Sequence, residues 1–370
     1  MHAPSVGEGL QARPVLQLAR GRRPDAQLAY TFFSPSAAPF ARSLDVDFAD
    51  YLPFDTSGDA RAALDALAPR ALVFSKVDVW PSLARAAAAR GVSLGLVSAT
   101  LAEGSSRRRG VAARLLAEAY GRLDAVGAID ERDAERLVEL GVGRDRVTVT
   151  GDTRYDQVWA RVHAVDPTTG FVAALASDRP TLVAGSTWPA DETPLLAAWT
   201  RVRGAVPDAR LIIAPHEPSE SHLSPVERWA SRERLGASRL GAADATTDVV
   251  LVDRVGVLGD LYALATVAYV GGGFHAAGLH SVLEPAAFGI PVLFGPRFAN
   301  SRDASLLIET GGGATADTAG SIEGRLREWL SNDRSRIDAG QAAKVLVERG
   351  LGAAERSWEL VEYLLGGRPR

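Results

Sequence analysis

Two successive runs of short β-rich segments, alternating with helix-length amphipathic stretches, fix what this chain can fold into. In the first half the strand-like runs are Leu28–Phe33, Ala71–Ser75, Ser93–Ser98, Ala125–Ile129 and Val147–Thr150. Helical spacing of apolar residues marks Gly9–Arg20, Asp59–Ala68, Trp80–Arg90 and Glu131–Glu139. The second half repeats the rhythm with strand candidates Thr181–Ala184, Arg210–Ala214, Val249–Val252, Val267–Val270 and Pro291–Phe294. Strands joined through helices of this length run parallel, because each crossover carries the chain back to the same end of the sheet. The expectation is an α/β protein of two doubly wound, Rossmann-type domains, 1–165 and 166–370. The linker is placed in 156–179, where buried-strand signals are sparse. The last helix, near Ala353–Leu365, is expected to fold back on the first domain. Ligands of such sheets bind beyond the carboxyl ends of the strands.

Composition narrows the function classes. A chain of 370 residues, 46% of them hydrophobic, supplies two ordinary cores. A net charge of −4 argues against general nucleic-acid binding, which needs a broad basic surface. The lack of cysteine excludes disulfides, thiolate metal sites and cysteine nucleophiles. Of the 41 Lys and Arg residues only Lys76 and Lys344 are lysines. No apolar run reaches the ~18–20 residues that span a bilayer, and no signal peptide opens the chain.

The stretch Tyr269–Pro296, YVGGGFHAAGLHSVLEPAAFGIPVLFGP, is a strand, a triple-glycine turn, a loop and a short helix. Gly271, Gly272 and Gly273 at a strand's carboxyl end let a ligand's anionic groups approach backbone N–H donors, and the next helix adds its positive amino end. Glu284, near that helix start, can accept hydrogen bonds from sugar hydroxyls. That layout suits a nucleotide sugar. Ser281 and Glu284 also have capping-box spacing, which would engage the carboxylate within its own helix. In Gly185-Ser-Thr-Trp-Pro189, Ser186 or Thr187 can cap the next helix or hold a phosphate. His216 in Ala214-Pro-His-Glu-Pro218 ends another strand and points to the ligand side, or is a solvated loop histidine. Arg154 in Gly151-Asp-Thr-Arg-Tyr155 can bridge to a phosphate or stand exposed. Glu8, in the opening His2-Ala-Pro-Ser-Val-Gly-Glu8, sits at a helix amino end that stabilises its charged form. It suits a base only where burial offsets that, and otherwise complements the helix dipole. The run Arg107, Arg108, Arg109 is either a solvated face or a contact for anionic head groups.

In their order along the chain, HAPSVGE, YTFFSPS, FSKVDVWPSL, LVSATL, TGDTRYD, GSTWPADE, APHEP, YVGGGF and HSVLEPAAFGIPVLFGP resemble the 3-deoxy-D-manno-octulosonic acid (Kdo) transferases of lipopolysaccharide assembly. The resemblance covers nearly the whole chain. It implies the GT-B architecture of two facing Rossmann-like domains, and metal-free, cofactor-free, inverting transfer of Kdo from CMP-Kdo to the lipid A precursor. Glu8 matches the general base. Arg154, Ser186, Thr187, His216, Gly271, Gly272, Gly273, Ser281 and Glu284 fall on donor-side motifs. Arg107, Arg108 and Arg109 fall where the family meets the acceptor and the inner-membrane surface, so the implied location is the cytoplasmic face of that membrane, peripherally bound. Competing readings are another nucleotide-sugar transferase or epimerase using a UDP-sugar, and a non-catalytic nucleotide-sugar-binding scaffold.

The chain departs from the family pattern at several points. Ser281 replaces a common Asn, Asp78 a common Glu, Ser82 an Asn and Thr100 an Arg. Pro215-His216 stands where many members have an arginine-histidine pair. Family members also place a membrane anchor and a strand ahead of the turn that holds the base. Here Met1 immediately precedes His2, so that first central strand is expected to be missing, with loss of ladder bonds and exposure of apolar surface.

Overall fold

The computed structural model describes residues 1–108 and 110–366, without the side chains of Arg108, Val111 and Ala112. Contacts divide the chain into two compact units, Met1–Gln157 together with the segment from Gly350 onward, and Val158–Arg349. The sequence rhythm alone puts the division between 165 and 166.

The first unit holds six parallel strands, β1 (Ala29–Phe32), β2 (Phe48–Tyr51), β3 (Ala71–Ser75), β4 (Ser93–Ala99), β5 (Ala125–Ala128) and β6 (Val147–Val149). β1 pairs with β2, and β3 to β6 form a separate ladder in sequence order. Residues 1–3 lie between the two sets and join them. On one side the Ala3 N–H donates to Thr31 at 3.0 Å and the Thr31 N–H to Met1 at 2.9 Å. On the other, the His2 N–H donates to Val73 at 2.8 Å and the Ser75 N–H to His2 at 3.2 Å. The strand expected to be missing is therefore present as a three-residue segment, long enough to bond both neighbours. Burial pushes the His2 imidazole down to about 3, which keeps it neutral between Thr31 and the Trp80 ring.

Side chains alternate across the sheet, as period-two geometry requires. Leu72, Phe74, Leu94, Leu96, Val126 and Ala128 enter one core layer. Val73, Val97 and Ala125 enter the other, against Leu360 and Leu364 of the Ala353–Leu364 helix. A Cβ on Gly95 would lie 2.5 Å from a Leu364 methyl, so that helix needs glycine on β4 to seat. Its amino end is held by Asp156, whose carboxylate accepts from the Gly352 N–H at 2.8 Å and the Ala354 N–H at 2.9 Å.

The second unit is one parallel sheet of β7 (Thr181–Thr187), β8 (Arg210–Pro215), β9 (Ala237–Arg239), β10 (Val249–Leu251), β11 (Val267–Val270), β12 (Val292–Phe294) and β13 (Gly313–Thr315). Its order is β13-β12-β11-β7-β8-β10-β9. Both faces are buried, Leu182, Leu211, Ile213, Val267 and Tyr269 in one layer and Val183, Ile212, Val250 and Ala268 in the other. The chain winds outward in one direction from β7 through β8, then returns to start β11 on its other flank. The β7–β11 boundary is therefore the topological switch point, where loops leaving the carboxyl ends diverge and leave room for a ligand. Among the described residues, no helix is long and apolar enough to cross a membrane.

Asp156→Ala removes the acceptor for two helix-end donors and is expected to cost about 1–3 kcal/mol. Urea unfolding followed by circular dichroism reads this as a lower midpoint. An unchanged midpoint would mean that Leu360 and Leu364 alone seat the helix.

Candidate functional site

In the first unit, Glu8 is the third residue of the Val6–Arg22 helix, which begins three residues earlier than the sequence spacing indicates. Ser5 precedes that helix in extended backbone and its hydroxyl donates to Glu8 Oε2. Lys76 Nζ lies 3.2 Å from Glu8 Oε1, and the Ser75 hydroxyl donates to the Glu8 carbonyl at 3.0 Å. Both carboxylate oxygens are thus engaged, one by a neutral donor and one by a cation. A Cβ at Gly9 would lie 2.5 Å from Phe40 and 2.6 Å from the Tyr30 hydroxyl, so glycine lets the first helical turn press on both rings. Burial by itself raises the Glu8 carboxyl, but the Ser5 hydroxyl and the Lys76 ammonium outweigh it and leave it below the usual carboxylate range. The helix end and its partners win over burial, and Glu8 stands as a held anion.

Beside it Asp78 is paired with Arg107. Burial lifts the Asp78 carboxyl above its usual range, Arg107 opposes this, and the nearby Glu8 charge adds to it. Arg107 is thereby tied down rather than projecting for a partner. Arg108 lies in a short turn, Ser106–Arg108, and its side chain is outside the described residues, as is all of Arg109. Arg154 belongs to this unit as well. Its Nε and terminal nitrogen donate to Asp152 Oδ2 at 2.9 and 2.7 Å, and Asp152 also accepts from Gln11 at 3.2 Å. The expectation of a donor-side phosphate ligand meets a guanidinium forked onto a buried carboxylate.

In the second unit, the switch point gathers Ser186, Thr187, His216 and the three glycines. Ser186 sits at φ +53°, in the left-handed region that non-glycine residues rarely adopt, and turns the chain out of β7. Neither Ser186 nor Thr187 caps the following helix, Pro189–Ala205. Its N-cap is Trp188, whose N–H donates to Asp191 Oδ2 at 3.0 Å. The Thr187 hydroxyl instead donates to Glu192 at 2.9 Å. Asp191 is fully buried. It also accepts from the Gly272 N–H at 2.8 Å and the Phe274 N–H at 2.9 Å, while the Gly271 N–H donates to Gly185 at 2.9 Å.

Two of the three glycine amides expected to cradle an anion are therefore already occupied. The Gly273 N–H has no acceptor among the described residues. The glycines serve close backbone packing. Added Cβ atoms would lie 2.2 Å from the Ser186 carbonyl oxygen at Gly271, 2.2 Å from that of Gly278 at Gly272, and 2.5 Å from the Gly295 nitrogen at Gly273.

Around this turn stand four of the chain's six histidines. The Trp188 ring stacks on His275 at 4.4 Å and lies 4.7 Å from His216, with His222 at its edge. His216 stacks on His280 at 4.4 Å, and Trp188 Nε1 donates to His280 Nε2 at 3.1 Å. Burial, followed by the charges His216 and His275 can carry, holds His280 below the usual imidazole range, with Asp191 opposing. His216 is thus part of an aromatic cluster rather than a lone loop residue.

Glu284 is half-buried in the Leu283–Ala287 helix, and burial raises its carboxyl despite Arg161. The capping box read from its spacing does not form. Val282 is the N-cap and Ser281 lies outside the helix, exposed, because the helix starts one residue late for that register. Lys76, Asp191, Trp188, His275 and His280 have no assigned role from sequence reasoning. The rarity of lysine was a signal for Lys76, and the acidic pair after Trp188-Pro189 for Asp191.

Residues 1–157 match the sequence model described as 3-deoxy-D-manno-octulosonic-acid transferase (kdotransferase). Over 99% of this chain, the 3-deoxy-D-manno-octulosonic acid transferase of Bordetella pertussis is 29% identical, with 87% of that protein covered. The enzyme of the same description from Haemophilus influenzae is 24% identical over 99% of this chain and 86% of its own length. Over nearly its whole length the chain is similar to Kdo transferases, and its first 157 residues match their sequence model. It is a glycosyltransferase. Among solved structures, a UDP-GlcNAc 2-epimerase from Neisseria meningitidis bound to UDP-GlcNAc superposes with a TM-score of 0.69 at 12% identity, covering 98% of both chains. The S. aureus MnaA–UDP co-structure gives 0.67 at 15% identity, covering 100% of this chain and 97% of that one. These likenesses are of fold, the two-unit α/β architecture expected of a Kdo transferase.

In this chain, Asp191→Asn keeps the shape but turns an NH2 toward backbone donors. The expected cost is about 1–3 kcal/mol, read as a lower thermal midpoint together with faster hydrogen exchange at Gly272 and Phe274. Unchanged exchange at those two amides would refute the clamp.

Proposed function

We propose that the protein transfers Kdo from CMP-Kdo to a lipid A precursor, with inversion, as part of lipopolysaccharide assembly at the cytoplasmic face of the inner membrane. What carries this reading is the whole-length kinship with Kdo transferases combined with Glu8, a carboxylate kept ionised at a helix amino end. In the proposed step the acceptor's sugar hydroxyl oxygen attacks the anomeric carbon of Kdo. The bond from that carbon to the CMP phosphate oxygen breaks, CMP leaves with the electron pair, and the hydroxyl proton passes to Glu8. A carboxylate of low basicity suffices, because the attacking oxygen becomes strongly acidic only as its bond to carbon forms.

The second unit carries the donor side of the proposal. The Gly273 N–H and the Ser186 hydroxyl offer donors at the switch point, His216 and Trp188 offer flat faces, and Glu284 offers hydroxyl recognition. Thr187 and the Gly271 and Gly272 amides support that loop through the bonds they already make. Arg154 supports the first unit through Asp152. No metal or cofactor is assigned a step. Arg107 stands on the acceptor side through its pairing with Asp78, and membrane contact is proposed as peripheral.

The test uses purified protein, CMP-Kdo and a lipid A precursor in detergent. Glu8→Gln is expected to lower kcat by about 10²–10⁴-fold with CMP affinity unchanged, and the acid limb of the wild-type profile should lie below the ordinary glutamate value of about 4.3. Equal rates in both proteins would remove the assigned base. Calorimetric preference for UDP or UDP-GlcNAc over CMP would replace the donor.

A further inference from the structure

Lys76 leaves the carboxyl end of β3 at φ +67°, a backbone region that a non-glycine residue adopts only when its surroundings hold it there. Its N–H donates to the Val97 carbonyl at 2.9 Å, which anchors the turn to β4. The residue before it, Ser75, donates through its N–H to His2 and through its hydroxyl to the Glu8 carbonyl. This turn therefore aims the lysine stem at the first helical turn, and Nζ arrives 3.2 Å from Glu8 Oε1. Ser5 takes the other oxygen.

We propose that Lys76 is a positioning residue for Glu8: its ammonium fixes the carboxylate's rotamer and charge before the acceptor binds and drives the proton off again after transfer. The role rests on the reading of Glu8 as base. With Oε1 on the ammonium and Oε2 on the Ser5 hydroxyl, the carboxylate has one arrangement instead of several, and orientation of this kind governs the rate of a proton transfer. A protonated Glu8 beside a cation is the less stable form, so the proton is returned to water and the anion is restored for the next cycle.

The other charged and titratable groups facing Glu8 do not supply this. Asp78, on the same loop, has the wrong sign and is paired with Arg107. From β1, burial keeps the Tyr30 hydroxyl protonated, with the Glu8 charge adding and Arg13 opposing. His2 is held neutral by burial.

Two lysines give two side-chain 15Nζ signals, and Lys344→Arg assigns them. In the wild-type chain without substrate, the Lys76 signal should shift with the same midpoint as the Glu8 carboxyl carbon, while that of Lys344 does not. In Lys76→Met, or Lys76→Gln where Met does not fold, the Glu8 midpoint should move up. The acid limb of the rate profile should move with it, and kcat should fall about 10²-fold with KM held. Lys76→Arg should return the acid limb and most of kcat. A Glu8 midpoint that ignores the neutral variant, or a Lys76 signal that ignores Glu8 in the wild type, overturns the proposal. An active Glu8→Gln would instead overturn the base, and leave the coupling between the two side chains to be read from the titration alone.

Discussion

The first unit depends on a ladder of four backbone bonds made by three residues. Met1, His2 and Ala3 bond Thr31 on one side and Val73 and Ser75 on the other. Without them β1 and β2 would form an isolated pair beside a four-stranded sheet. A parallel sheet buried on both faces tolerates no such gap, since unpaired N–H and C=O groups would be left without water. The same bonds set the chemistry. The chain enters its first helix at Val6, three residues after Ala3, so the ladder register fixes where Glu8 falls. Ser75 closes the ladder with its N–H and holds the Glu8 carbonyl with its hydroxyl, and the next residue is Lys76. One strand end thus supplies the register, the backbone anchor and the counter-charge of the carboxylate.

The second unit solves a comparable problem with a buried anion in place of a strand. Asp191 accepts from the N–H groups of Trp188, Gly272 and Phe274, which come from two loops at the switch point. A carboxylate accepting several backbone donors is stabilised strongly enough to remain buried. It draws the β7 and β11 loops together until their backbones nearly touch, which is why no Cβ fits at Gly271, while at Gly272 the Gly278 carbonyl of the same loop leaves no room for one. The glycine triplet therefore answers first to an internal anion. In the proposed function an external anion meets what remains, the Gly273 N–H and the side chains around it.

These two arrangements show which parts of the molecule were legible in the sequence. Strands buried on both faces, such as Ala71–Ser75 and Val267–Val270, read as unbroken apolar runs and lie where the pattern put them. Phe48–Tyr51, Ala237–Arg239 and Gly313–Thr315 escaped, being edge strands of three or four residues with at least one face in solvent. Their composition carries no burial signal because little of them is buried. With Met1 directly before His2 the first strand was expected to be missing, yet three residues suffice for pairing on both edges. Candidate residues were legible where a motif marks a strand end, as at His216 and the glycines. Their partners were not, because Asp191 and Lys76 act across sequence separations that spacing does not reveal. The capping box at Ser281 and Glu284 failed for a related reason: the spacing was right, but the helix begins one residue too late for Ser281 to cap it.

At the two candidate sites, one in each unit, burial and pairing reach opposite balances. In the first, Glu8 is buried yet stays below the usual carboxylate range, because a hydroxyl and an ammonium outweigh desolvation. In the second, burial wins at Glu192, at Glu284 and at His280, and each moves toward its neutral form. A charged carboxylate accepts a proton, whereas a carboxyl shifted toward neutrality can also donate a hydrogen bond to a sugar oxygen. The His275 ring stacks on the Trp188 indole and offers a flat face beside His280, which burial holds below the usual imidazole range. In the proposed function the second unit recognises the donor by shape and hydrogen bonding at little cost in desolvated charge. The first holds Glu8 as a paired carboxylate, which in the same proposal takes the proton. In the proposed function, proton acceptance and donor recognition need opposite balances of burial against pairing, and each balance is set by the strand ends of its own unit.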